Sequence, residues 1–248
     1  MNSLRIVRAE LRKLTSTRMP LAFLIVLVVI GAATAIAVAF GTDMDGSKTF
    51  IATAADQQSL MAFAGNALVI AGLFGAIAVA REYGHGTVVL TFLTTPRRSQ
   101  AVSAQLAAAF MAGSVLGLVG AGISAGSVAA GLTATDFGFM VSVSDLAQVL
   151  AASTLAGGAG AVLGAGVGAL IRNTGGAVTG TILLLLILPP LAVQMVSETA
   201  SWIPGTLANV LSGIESTVAI GPAILAIGMW ALVPAAIGMF AVARRDVV

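Results

Sequence analysis

The sequence predicts an all-α polytopic membrane protein: six transmembrane helices, both termini cytoplasmic, an amphipathic N-terminal helix, and short external re-entrant helices before the last span. Three observations lead there. Only 9% of the 248 residues are charged while 58% are hydrophobic; a soluble domain carries about 25% charged residues, so this chain cannot dress an ordinary water-facing surface. Six apolar runs, at about 20–40, 60–80, 100–131, 146–171, 176–196 and 222–243, have no Asp, Glu, Lys or Arg in their interiors. Each reaches the roughly 20 residues that cross a hydrocarbon core of about 30 Å. Finally, with the amino terminus in the cytoplasm, Arg5, Arg8, Arg12, Lys13, Arg18, Arg81, Arg97, Arg98, Arg172, Arg244 and Arg245 all fall inside and only Lys48 outside. An 11-to-1 split of the basic residues sets this orientation, because Lys and Arg are retained on the cytoplasmic side.

The same composition excludes several functions. A net charge of +2 spread over separate loops makes no phosphate-tracking face, so nucleic acid is not an expected partner. There is no cysteine and a single histidine, so neither a disulfide framework nor a histidine-rich metal site is expected. Residues 1–248 are read as one transmembrane domain.

Taken in order, residues 3–18 open with Leu4, Val7, Leu11 and Leu14 at helical spacing, and with Arg5, Arg8 and Arg12 on another face. Such a helix lies along the inner membrane surface with its arginines toward anionic head groups; the alternative is that these charges only fix topology. The first span competes with a cleaved signal peptide, since Ala37-Val38-Ala39 resembles a cleavage site. The run from Pro20 to Phe40 is longer than the usual 7–15-residue apolar region of a signal, and the span is kept. In the outer loop 41–59, Gly41-x4-Gly46 is followed by Ser47-Lys48-Thr49 rather than Gly-Lys-Ser/Thr, so it is not a phosphate loop. Asp43-x-Asp45-Gly46 lacks the other ligands of a calcium loop. A solvated turn is expected for both.

Gly113 and Gly117, Gly122 and Gly126, and Gly160, Gly164 and Gly168 repeat at four-residue spacing in the third and fourth spans, which lets helix backbones approach closely in lipid. Static packing and re-packing during transport both fit that pattern. Gly122-x-Ser124-x-Gly126 also matches a nucleophile pattern. His85 lies on the opposite membrane face, some 36 Å away along the helix, so a serine–histidine hydrolase is ruled out; a serine–lysine variant has no lysine nearby. Pro189-Pro190 should kink the fifth span. Residues 197–221, with Trp202, Ile203, Leu207, Val210, Leu211 and Ile214, are too apolar for a free loop and too broken by Pro204, Gly205 and Gly213 to span. One or two short helices dipping into the outer interface are expected, with Trp202 at head-group depth.

Without ionisable residues at mid-membrane, a proton- or ion-coupled carrier is disfavoured. Asn66, Gln105 and Gln194 are the strongest polar side chains in or near the spans and are the candidates for lining a pathway. Energy then comes from another polypeptide, and the segment placed to receive it is Arg81-Glu82-Tyr83-Gly84-His85-Gly86-Thr87, running through Val89 and Phe92 to Pro96-Arg97-Arg98. Gly84 and Gly86 allow a turn, Thr87 is placed to cap a short helix 88–93, and Thr95-Pro96 stops it. The plain alternative is a charged hairpin with glycine turns.

The Glu-Tyr-x-x-Gly-Thr core after the second span and the Thr-Pro-Arg-Arg element before the third, within six spans and after a basic amphipathic start, resemble the ABC-2 type permease subunits of ATP-binding cassette transporters. The likeness covers essentially the whole chain, and only 81–98 exceeds general architecture. The resemblance implies a cell-membrane permease, usually an exporter, with drug-, antibiotic- or lipid-like cargo as the reading of its uncharged spans. It implies cytoplasmic ATPase subunits that bind the ATP, a second permease copy or sister permease, and no cofactor or catalysis in this chain. Docking and coupling fall on Glu82, Tyr83, Gly84, Gly86, Thr87, Val89, Phe92, Pro96 and Arg97. A stand-alone secondary carrier or pore, or a non-transporting membrane scaffold, is the alternative.

Overall fold

The structure, a computed structural model, describes residues 3–84 and 98–244. All regular elements among them are helical. Helix α1 (Ser3–Thr15) turns through Ser16–Arg18 into α2 (Met19–Phe40), and a single 3₁₀ turn (Thr49–Ile51) leads to α3 (Ala54–Met61) and α4 (Ala64–Gly84). Then come α5 (Arg98–Leu132), α6 (Val143–Ile171), α7 (Thr174–Ile182), α8 (Leu188–Met195), α9 (Pro204–Leu211) and α10 (Ile220–Arg244). Six helical segments are long and apolar enough to cross a membrane: 19–40, 54–84, 100–132, 143–171, 174–195 and 220–242. Each lies on a span read from the sequence, and the chain is a multi-pass membrane protein.

Helix α6 is the axis. Every residue from Ala156 to Ala169 is buried, because α4, α5 and α10 pack around it. The sequence permits this by removing side chains from the contact lines. A β-carbon on Gly160 or Gly164 would overlap the carbonyls of Leu68 and Gly72 of α4, one on Gly113 or Gly117 those of Gly157 and Ser153, and one on Gly238 that of Gly166. In lipid there is little hydrophobic drive between helices, so this close backbone packing is a main source of cohesion. Gly122 and Gly126 behave differently: no described residue lies within 4 Å of their missing β-carbons. Ser124 between them is buried and donates to the Leu60 carbonyl at 3.4 Å, a bond within the packing.

The peripheral spans bury one edge only. α2 hides Leu27, Gly31 and Val38 against α5, while Leu21, Ile25, Val29 and Ile36 face outward. The fifth span breaks where two consecutive prolines remove N–H donors, and the break takes the form of a π-helical turn at Leu183–Ile187 between α7 and α8. Proline disturbs the turn before it, so the irregularity precedes Pro189. Pro234 lies inside the unbroken helix α10 beside Gly166, whose missing β-carbon would meet Ala235.

At the end of the bundle away from α1, glutamines hold the loops. Gln57 is fully buried and donates to the carbonyls of Ile51 (3.1 Å) and Gly138 (2.9 Å), while its own carbonyl accepts from Met140 N–H (2.9 Å). Gln58 and Gln148 cap the end of α9 by donating to Ser212 and Leu211 carbonyls at 2.9 and 3.1 Å. The loop 41–51 is a solvated turn built on Asp43, which accepts from the Thr49 N–H at 2.8 Å and the Ser47 hydroxyl at 3.1 Å, with Gly46 at φ +80°. Replacing Gln57 by Leu strands two carbonyls and an N–H, so a loss of about 3 kcal/mol is expected. Thermal unfolding in detergent checks it; unchanged stability would contradict the role.

The segment after the fifth span forms two short helices, the 3₁₀ turn Ser197–Trp202 and α9. The apolar residues of α9 turn into the bundle, whereas the 3₁₀ turn buries none of its residues. Pro204, Leu207, Ala208, Val210 and Leu211 are buried against α10, α4 and α6. Pro204 starts the helix rather than breaking it, since a first-turn residue needs no helical N–H bond. Trp202 remains half-exposed, its carbonyl accepting from the Trp230 indole at 3.0 Å.

Candidate functional site

Charged residues that the linear sequence keeps apart meet at the α1 end of the bundle. α1 has three faces rather than the two expected. Arg5, Arg8 and Arg12 are exposed, and Val7, Leu11 and Leu14 are half-buried. Ile6 and Glu10, each 5% exposed, turn inward on the side that packs on α5. Glu10 is therefore a carboxylate committed to the interior, and such a group needs a partner.

Lys13 supplies it. Its ammonium lies 2.8 Å from Glu10 Oε1 and 3.2 Å from Glu82 Oε1, so one cation joins α1 to the last turn of α4. The Lys13 side chain is 42% exposed, against 6% for Glu10 and 16% for Glu82. Burial works against the ammonium, and the Glu10 hydrogen bond with the Glu82 charge outweighs it, leaving Lys13 above its ordinary value of 10.5. Beside this triad, Glu10, Glu82 and Gln105 of α5 line a gap of about 10 Å³, room for one water at most. On the other side Lys13, Thr17, Met19, Arg81 and Glu82 border an open cavity of about 390 Å³.

Tyr83, next along α4, takes a third element into the cluster. The Arg172 guanidinium sits 5.1 Å from its ring centroid, a cation–π contact. Arg172 ends α6 in the left-handed conformation (φ 59°) and hands over to Asn173, whose side chain caps α7 by accepting from Gly176 N–H at 3.0 Å. A non-glycine residue there costs about 1–2 kcal/mol. Tyr83 Oη and Arg172 Nε and Nη2 are buried and find no partner among the described residues.

Of the residues singled out in the sequence, Glu82 and Tyr83 thus lie in the cluster and Gly84 closes α4, exposed. Gly86, Thr87, Val89, Phe92, Pro96 and Arg97 fall outside the described residues, as does His85. The three polar candidates for a pathway are not brought together. Gln105 sits by Glu10 and Glu82, while Asn66 in the first turns of α4 and Gln194 in α8 are exposed at the opposite end. Sequence reasoning missed Glu10 and the bridging role of Lys13. The available signal was a lone acid three residues before a lysine in an otherwise basic helix.

Compared with known families and curated proteins, the chain matches no family model and no curated protein.

Proposed function

We propose that this chain is the membrane permease subunit of an ATP-binding cassette transporter of the ABC-2 type, an exporter driven by separate cytoplasmic ATPase subunits that dock on residues 81–98. The observation that carries the reading is the Lys13 bridge from α1 to Glu82, at the point where α4 leaves the bundle toward that segment. Residues 85–97 connect α4 to α5, and these two helices pack along adjoining contact lines of α6 that meet at Ala161. A partner that moves the connecting segment therefore acts on the packed core directly, with α1 as a strut. The 11-to-1 distribution of basic residues supports placing this end in the cytoplasm, in a cell membrane. Uncharged spans support an external energy source and amphiphilic cargo.

In this role Lys13→Met and Glu82→Gln each uncouple the strut. Lys13→Met leaves the buried Glu10 unpaired and should cost about 3 kcal/mol of stability. Glu82→Gln keeps the Lys13–Glu10 pair and should cost only about 1 kcal/mol. Each should reduce ATP-driven transport severalfold. Non-additive effects in the double variant would place the two residues on one contact; full transport in both variants sinks the coupling role. The pH dependence has a defined sign. The folded Lys13 value is raised, so its contribution is complete below pH about 10.5 and is lost as pH rises through the folded value. Wild type should lose stability relative to Lys13→Met in that alkaline range, measured by thermal unfolding.

A further inference from the structure

Two charged features of α1 share one residue. Arg5, Arg8 and Arg12 stand on a single exposed stripe, and with Ala9, Lys13 and Ser16 they line an open groove of about 520 Å³. None of the three arginines is engaged by an acidic side chain among the described residues. Lys13 belongs to this groove and also borders the cavity that holds Arg81 and Glu82. An exposed row of guanidinium groups is complementary to a phosphate, which accepts paired N–H bonds from each fork. The neighbouring face of α1 carries half-buried Val7, Leu11 and Leu14, and α2 enters the apolar region only four residues beyond Thr15. The groove therefore lies at the depth of lipid head groups.

We propose that the Arg5–Arg8–Arg12 groove binds the phosphate-bearing head group of an anionic phospholipid, and that the bound head group competes with Glu82 for Lys13. Lipid composition then sets how firmly α1 is tied to the end of α4. A phosphate in the groove adds negative charge on the open side of Lys13. The ammonium is already shared between two carboxylates and can turn toward a third anion without losing Glu10. The inference rests on the charge and placement of α1, not on the transporter reading, so the lipid experiment can fail without affecting that reading.

Native mass spectrometry of the whole chain with phosphatidylglycerol or phosphatidylcholine tests it. The wild type should retain phosphatidylglycerol preferentially. Each groove arginine changed to Gln should weaken retention about fivefold, and R5Q/R8Q/R12Q together on the order of a hundredfold. Arg18→Gln, exposed but outside the groove, should change it less than about twofold. Equal loss from Arg18→Gln and Arg12→Gln would reduce the effect to general surface charge and overturn the site. Displacement of the lipid by millimolar inorganic phosphate would assign the groove to a soluble anion instead. Glu82→Gln should strengthen retention, and that gain should vanish in a Lys13→Gln background; a gain that persists there overturns the competition for Lys13. All three groove arginines are exposed, so the first comparison does not depend on preserving a buried contact.

Discussion

Gly164→Leu should leave no folded protein. The missing β-carbon of Gly164 points at the Gly72 carbonyl and close to the Ala76 N–H of α4, so any side chain meets backbone rather than a movable neighbour. Ordinary overpacking of a core costs about 1–3 kcal/mol because side chains can shift. Here α4 itself must retreat, and the Gly160 and Gly75 contacts on the same line open with it. Gly126→Leu is the matched control, since no described residue lies within 4 Å of its missing β-carbon. Size-exclusion profiles and thermal unfolding in detergent should show Gly164→Leu aggregated or absent and Gly126→Leu folded. A well-folded Gly164→Leu protein would mean that the α4–α6 line does not hold the core.

Val89→Asp with Phe92→Asp should abolish association with an ATPase while the chain still inserts. Both residues belong to the short apolar run between Thr87 and Thr95, which has no reason to be apolar in a water-facing loop unless something covers it. Two carboxylates placed in a covered apolar contact must be desolvated without partners, a cost of several kcal/mol and enough for at least a thousandfold loss of affinity. Membrane insertion depends on the flanking spans and should be unchanged, which fractionation checks. Retained association at wild-type strength would remove this run from the docking surface.

The architecture was legible because lipid imposes it. Span length, missing charge and the distribution of Lys and Arg are readable one residue at a time, and all six spans fall where those signals put them. Small-residue spacing also pointed to close backbone packing in the third and fourth spans, but not to which helices meet or which glycines take part: Gly160 and Gly164 pack on α4, while no described residue lies opposite Gly122 and Gly126. Spacing gives a face, and only packing says what lies opposite. For the same reason 197–221 was legible as short helices but not in how far α9 is covered by the bundle; apolar residues look alike whether lipid or protein covers them. The charged cluster was half legible. Glu82 and Tyr83 stood out as polar groups ending a span, whereas Glu10, Lys13 and Arg172 join them across 69 or more residues of sequence, a pairing no local pattern encodes.

The central claim, that the chain is driven by a separate ATPase, is tested most directly by purifying it in mild detergent from its native membrane and identifying what comes with it. The account predicts an ATP-binding cassette ATPase in stoichiometric amount, released by the Val89→Asp/Phe92→Asp pair. A chain that purifies alone and moves solute across reconstituted vesicles without ATP would contradict it.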